Sequence, residues 1–357
     1  MNAFTVLLKK YLDDANPYLK WDNIEPIDDS VVTQHCDLQQ IDNEKTTDLE
    51  NKVCIVKLNG GLGTTMGCTG PKSLMEIKGN YTFMDIIIQQ NKLFPKIPLV
   101  LMNSFYTHAQ TNQYLSEKQI GNLNIVSFNQ NCYPRIIKET KSPLDHMSTD
   151  KDHLYPPGHG DLIQSLGDTG TLDKLMESGI QYAFIANSDN LGATMNFNIL
   201  NDLMKHDIDF ALELTPKTLN DVKGGTLIKY DGKYVMFEVA QCPPDKLSEF
   251  TSIEKFKYFN TNNVWIKLSA IKELIDTDYL NHIDVIINHK KLKDGRECVQ
   301  LEYAIGSLVK FFNKVKCYSV SRDRFIPVKN NNDLALVRSD AYILNKETWK
   351  LSKTNTP

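Results

Sequence analysis

The chain is predicted to fold as an α/β protein, Rossmann-like, around a mixed and mostly parallel central sheet. Three observations carry that reading. The β-branched run Val53-Cys-Ile-Val-Lys-Leu58 opens directly into Asn59-Gly-Gly-Leu-Gly-Thr-Thr-Met-Gly67, a layout that sets backbone N–H groups against phosphate at a strand's carboxyl end. Helical and buried-strand patterns then alternate, as in a sheet built from crossover units. A further apolar strand, Tyr182-Ala-Phe-Ile-Ala186, ends in the polar cluster Asn187-Ser-Asp-Asn190-Leu-Gly, where such sheets keep ligands.

The glycine loop matches neither of the two common phosphate loops. Pro71 separates Gly70 from Lys72, and proline removes an N–H that a Walker cradle uses. A dinucleotide fingerprint places two residues between its second and third glycines, whereas Gly63 and Gly67 enclose three. Neither an ATPase nor a dehydrogenase is supported. So many glycines before a fixed Pro-Lys cost chain entropy, which favours a ligand-binding loop over a mere bend.

The elements follow in order. Residues 1–50 are polar and acidic and read as an arm packed on the core, with a helix over 4–12, loop-like pairs at Asn16-Pro17 and Glu25-Pro26, and Trp21, Ile24 and Pro26 as anchors. The catalytic domain is assigned to 51–338. Phe83, Ile86, Ile87, Gln90 and Leu93 keep helical spacing within 81–94, before a buried strand at 98–102. A second round places a helix at 111–118, a strand at 124–128 and a loop at 129–135, and then a charged surface excursion at 139–153 returns through Tyr155-Pro-Pro-Gly-His-Gly-Asp161. One helix is predicted over 161–178. Strands follow at 209–215, 225–230 and 234–239, the last two joined by the hairpin pair Asp231-Gly232. Another strand covers 259–267, with helix, strand and helix at 269–275, 283–287 and 301–312. A short strand at 324–329 delivers Lys329, and 339–357 is a brief polar tail.

With 357 residues, 41% of them hydrophobic, the chain can bury a large core. A net charge of -4 gives no global attraction to nucleic acid or to an anionic membrane, so phosphate must be met by local cations and the partner is a small molecule. Seven cysteines without a Cys-x-x-Cys pair argue against a disulfide framework or structural zinc. Without a signal-like N-terminus or an apolar run of membrane length, a cytoplasmic, soluble protein is expected.

From the residues alone no nucleophile-base pair can be defended. Glycine loops, a strand-end Asp189 and the isolated Lys72 and Lys329 suit phosphoryl or nucleotidyl transfer, in which positioning and charge neutralisation do most of the catalysis. Each candidate keeps a plainer alternative. The lysines could be solvated, Asp189 is a preferred helix cap, His159 could bond its own turn, and Gln130, Asn260 and Asn262 could be strand-end turn formers.

The motifs together resemble the eukaryotic-type UTP:glucose-1-phosphate uridylyltransferases, also called UDP-glucose pyrophosphorylases. The resemblance rests on Lys57-Leu-Asn-Gly-Gly-Leu-Gly-Thr64, Gly70-Pro-Lys-Ser73, Phe128-Asn-Gln130, Pro156-Pro-Gly-His-Gly-Asp161, Asn187-Ser-Asp-Asn-Leu-Gly-Ala193, Val222-Lys-Gly-Gly225, Glu238-Val-Ala-Gln241, Phe259-Asn-Thr-Asn-Asn263 and Phe325-Ile-Pro-Val-Lys329. It implies a nucleotidyltransferase domain in which UTP and glucose 1-phosphate give UDP-glucose and pyrophosphate, with Mg²⁺ and no covalent intermediate. By that resemblance Leu58, Asn59, Gly60 and Gly61 meet the nucleotide through backbone, Gln130 and Gly158 read the uracil, and Lys72 meets the phosphates. Asp189 would be the Mg²⁺ ligand with Asn187 beside it. His159 would contact the sugar phosphate, Gly225, Glu238, Asn260 and Asn262 the glucose, and Lys329 the transferred phosphate.

The family ordinarily continues past the last lysine motif into a left-handed β-helix domain that supports its oligomer contacts, and nothing here corresponds to it. The expectation is therefore a monomer. An N-acetylhexosamine 1-phosphate uridylyltransferase and a non-catalytic nucleotide-sugar binding protein stand as alternatives.

Overall fold

The computed structural model describes residues 3–13 and 18–354, so the expected Asn16-Pro17 loop and the last three positions lie outside the described residues. Among these, eight strands form the central sheet: β1 (Val32–Gln34), β2 (Val53–Asn59), β3 (Leu99–Asn103), β4 (Ile125–Asn129), β5 (Tyr182–Asn187), β6 (Phe210–Pro216), β7 (Tyr258–Lys267) and β8 (Val315–Ser319). Their order is β1-β8-β6-β7-β5-β2-β3-β4. Only β7 runs against its neighbours, β5 and β6; the other pairs are parallel. Every residue of β2 is buried, which is why it reads as a continuous apolar run: helices cover both faces of a parallel sheet.

One face packs against Leu162, Leu166, Leu172 and Leu175, the other against Phe83, Ile86, Ile87, Leu200 and Leu203. The helix Phe83–Lys92 starts on a reciprocal cap between Thr82 and Asp85, which fixes where the chain leaves the glycine loop region. The arm is part of this architecture. Its helix Ala3–Leu12 packs on the first face, β1 lies at the sheet edge, and Ile24–Pro26 pairs with the hairpin Thr226–Tyr230/Lys233–Phe237. That hairpin turns on Asp231 and Gly232, both at positive φ, as the Asp-Gly pair predicts.

Four sequence expectations are corrected. The helix over 161–178 is two, Leu162–Asp168 and Thr171–Glu177, because Gly170 takes a left-handed φ of 65° that no helix continues through. The helix at 301–312 does not form. Leu301 belongs to the strand Glu297–Glu302, paired with Ile286–Lys291 across a turn at Gly295, and only a 3-10 stretch, Ile305–Phe311, follows. Around 324–329 there is no strand but one isolated bridge between Asn190 and Pro327, whose ring nitrogen cannot extend a ladder. The segment read as a polar tail forms the pair Tyr342–Leu344/Leu351–Lys353, and Tyr342, Leu344 and Leu351 are buried in the second core. Polar residues between them hid that spacing.

Candidate active site

The site lies where β2, β5 and β7 release their polar ends. The glycine loop after β2 is braced from below. Thr107 Oγ1 donates to the Asn59 carbonyl and Ser104 Oγ to the Gly60 carbonyl, each at 2.8 Å, and Lys72 N–H closes the loop onto Gly61 O at 3.1 Å. The Asn59 amide is spent inside the fold, on Asn103 Oδ1 at 2.7 Å and Thr111 Oγ1 at 3.1 Å. Leu58 offers its carbonyl to Ser188 N–H at 3.2 Å, which ties the loop strand to the turn after β5. Beneath, the buried Lys57 donates to Ala193 O at 2.9 Å, and burial pushes its pKa down to about 7.

Gln130 lies directly over this loop. A Cβ at Gly60 would stand 2.1 Å from Gln130 Nε2, so only glycine allows the approach. The Gln130 Oε1 is buried with no hydrogen-bond partner among the described residues. A buried unpaired acceptor costs roughly 1–3 kcal/mol, which a bound donor would recover. Gly158 holds a φ of 89°, and a Cβ there would meet Tyr303 O at 2.8 Å. Asp161 ties Asn131, next to Gln130, to Tyr303: it is fully buried and accepts from Asn131 N at 2.7 Å, Ser165 Oγ at 2.5 Å and Tyr303 OH at 2.9 Å. Burial raises the Asp161 pKa, and these donors pull it back.

His159 follows Gly158. Its Nδ1 accepts the Ile305 N–H at 3.1 Å, and burial pushes its pKa down to about 4, so the ring is neutral near pH 7 and carries its proton on Nε2. Neutral, it can donate from Nε2 to an anion without bringing charge.

At the end of β5, Asp189 Oδ2 and Lys72 Nζ form an ion pair at 2.5 Å, with both side chains largely buried. Asp189 Oδ1 is buried and unpartnered among the described residues. The segment carrying Lys329 is laid against this turn: Val328 N–H reaches the Asp189 carbonyl at 3.4 Å. Lys329 itself is exposed, with Nζ 6.0 Å from the Phe325 ring centroid.

The remaining candidates hang on a bulge. The pairing of β6 with β7 slips after Glu213, where Asn263 gives way to Asn260, and Asn262 takes a φ of 59°. Two extra residues on β7 at this point re-aim its side chains. Asn262 Nδ2 thereby reaches Asn187 Oδ1 at 3.0 Å, while Asn260 N–H donates to Gly225 O at 3.0 Å. A Cβ at Gly225 would meet Glu238 Oε1 at 2.3 Å, so this carboxylate closes the same corner. Burial raises the Glu238 pKa, and the charges of Lys329 and Lys217 lower it in part. Of the fifteen positions singled out in the sequence, direct contacts join Gly60 to Gln130, Lys72 to Asp189, Asn187 to Asn262, and Gly225 to both Asn260 and Glu238, while the Asn59 side chain is turned into the fold.

Sequence reasoning missed the residues that hold these in place. Glu213 is buried and accepts from Arg324 Nε at 2.8 Å and Nη2 at 2.6 Å, Asn263 Nδ2 at 2.9 Å and Trp265 Nε1 at 3.0 Å. Burial would raise its pKa, yet the Arg324 charge and these donors hold it below the usual carboxylate range. The available signal was an acid between Leu212 and Leu214 in an otherwise apolar strand. Lys217 was likewise missed, and its Nζ is buried without a hydrogen-bond partner among the described residues.

Comparison with known proteins bears on what this cleft does. The sequence model described as "UTP--glucose-1-phosphate uridylyltransferase" matches residues 1–357. A protein of that name from Solanum tuberosum is 46% identical over 356 residues, covering 98% of this chain and 74% of its own length. UTP--glucose-1-phosphate uridylyltransferase 2 of Dictyostelium discoideum is 43% identical, covering 97% and 70%. Among solved structures, the UDP-glucose phosphorylase of Trypanosoma brucei superposes with a TM-score of 0.87 at 32% identity, over 99% of this chain and 77% of that one. The UDP-glucose pyrophosphorylase of Leishmania major gives 0.87 at 30% identity, over 99% and 78%.

Proposed function

The chain belongs to the UTP--glucose-1-phosphate uridylyltransferase family, and from that premise we propose how its residues divide the work. It is an enzyme that transfers the uridylyl group of UTP to glucose 1-phosphate, giving UDP-glucose and pyrophosphate. Both reactants are anions, so the sugar phosphate can approach the α-phosphorus only if charge is neutralised on the attacked group and on the leaving group. The observation that carries our assignment is the Lys72–Asp189 pair set beside the segment that bears Lys329.

In this reading Gln130 recognises the uracil edge: its unpaired Oε1 accepts the ring N3–H, and its amide donates to a flanking carbonyl. Gly60 and Gly158 leave room for the base. Leu58, Asn59, Gly60 and Gly61 present backbone to the nucleotide, and Lys72 and Lys329 face its phosphates. His159 donates from Nε2 to the sugar phosphate, while Gly225, Glu238, Asn260 and Asn262 take the glucose hydroxyls, with Asn187 holding Asn262 in place.

Mg²⁺ fits this donor set. Asp189 has one buried oxygen without a partner, and a magnesium ion that draws its other ligands from phosphates and water needs no more than one or two carboxylates. Asp189 would hold it, with Asn187 beside it. When bound, the ion would supply charge neutralisation at the phosphates. Asp189→Asn, which keeps size and removes charge, should lower the rate and weaken its dependence on Mg²⁺ concentration; an unaltered dependence would remove Asp189 as the ligand.

Glucose 1-phosphate is the acceptor, and a panel of sugar 1-phosphates, N-acetylhexosamine 1-phosphates included, assayed for pyrophosphate release with UTP, tests our reading of the sugar corner. Turnover fastest on glucose 1-phosphate supports it, and preference for an N-acetylhexosamine overturns it. We further propose a monomer in dilute solution within a reducing cytoplasm, a compartment supported by seven free thiols. No helix among the described residues is long and apolar enough to cross a membrane.

A further inference from the structure

The turn carrying Asp189 and the segment carrying Lys329 are far apart in sequence, and Asn190 joins them. Its Nδ2 donates to Arg324 O and to Asn263 Oδ1, both at 3.1 Å, and its Oδ1 accepts the Ile326 N–H at 2.9 Å. The side chain is 1% exposed and both ends of its amide are engaged within the protein, so it has no part in holding a ligand. Its backbone pairs with Pro327, which brings the Val328 N–H to the Asp189 carbonyl. The carbonyl that Asn190 grips belongs to Arg324, whose guanidinium is clamped through Nε and Nη2 by the buried Glu213. On the far side, the Lys329 N–H donates to Asp333 Oδ2 at 2.7 Å, within the reciprocal cap of the helix Asn331–Arg338. Lys329 thus leaves a backbone pinned at both ends, which limits where an exposed, flexible side chain can place its ammonium.

We propose that Asn190 and Asp333 are positioning residues that hold Lys329 in register with Asp189 for the transfer step. This rests on the assignment of Lys329 to the transferred phosphate. A lysine free to wander supplies charge on average but not where it develops, so loss of either anchor should appear in kcat rather than in substrate affinity.

The test is a set of variants assayed with UTP and glucose 1-phosphate. Asn190→Ser should lower kcat by about tenfold or more with both KM values within about twofold, and should leave the preference for UTP over CTP unchanged. Adding Lys329→Ala to Asn190→Ser should cost far less than Lys329→Ala costs alone, because a displaced lysine has little left to lose. Asp333→Ala, a cap change that surface helices tolerate, should lower kcat about threefold with the same split. Full additivity of Asn190→Ser with Lys329→Ala, or an unchanged kcat in Asn190→Ser while Lys329→Ala is impaired, overturns the proposal. If Asn190→Ser does not fold, an unchanged kcat in Asp333→Ala overturns it. An intact kcat in Lys329→Ala overturns the role of Lys329 itself, and the positioning proposal with it.

Discussion

Around Gln130 the chain is clamped: Gly60 beneath it is braced by Ser104, Asn131 beside it is held by Asp161, and Gly158, three residues before Asp161, is pressed on Tyr303. Around Lys329 the backbone is fixed, but the side chain is exposed, and Asn260 and Asn262 project from an irregular bulge. The first region suits selection of a flat base by shape and by a neutral donor–acceptor edge. The second suits charge brought to the phosphates from a fixed backbone. The contrast teaches that reading and transfer can be separated, by clamping the groups that read the base and, on the transfer side, pinning only the backbone from which a cation reaches out.

The largest expected effect lies on the transfer side. Lys329→Ala should lower kcat by about 10²-fold while changing KM for UTP little, if its charge acts mainly in the transition state. Steady-state kinetics checks this, and a rise in KM with kcat intact would make Lys329 a uniform binding contact and blur the distinction.

On the reading side the effect is smaller and falls on selectivity. Cytosine offers an unprotonated N3 and an amino group where uracil offers N3–H and a carbonyl, so a CTP complex leaves Gln130 facing like groups. Discrimination of at least about tenfold for UTP follows, and Gln130→Ala should erase most of it. Equal kcat/KM for UTP and CTP in the unaltered enzyme would sink the assignment.

The candidate groups and the anchors that hold them differed in how far they could be read in advance. The glycine loop, the strand-end Asp189 and the lysines were legible because each sits in a local pattern whose chemistry depends on neighbours in sequence. Asp161, Glu213 and Asn190 were not legible as anchors. Their partners Tyr303, Arg324 and Asn263 lie far along the chain, and only the folded sheet brings them within reach. The same limit explains the errors in the fold. A lone Gly170 gave too little signal to split a helix, and residues 301–312 kept a helical spacing that strand pairing with Ile286–Lys291 overrode.

His159 gives a weaker test that bears on stability. Its folded pKa of about 4 lies below the ordinary 6.5, so the unfolded chain binds the extra proton first and stability should fall as pH drops from about 6.5 to about 4. Thermal melts across that window should show a shallower loss for His159→Gln than for the unaltered protein. Parallel curves would mean that the ring already titrates normally.

The separation of reading from transfer is tested most directly by the cycle that combines Gln130→Ala with Lys329→Ala, read as kcat/KM for UTP. If the two regions act independently, the combined loss equals the product of the single losses within about twofold. A combined loss no larger than that of Lys329→Ala alone would contradict the account, because base recognition and charge neutralisation would then be one act.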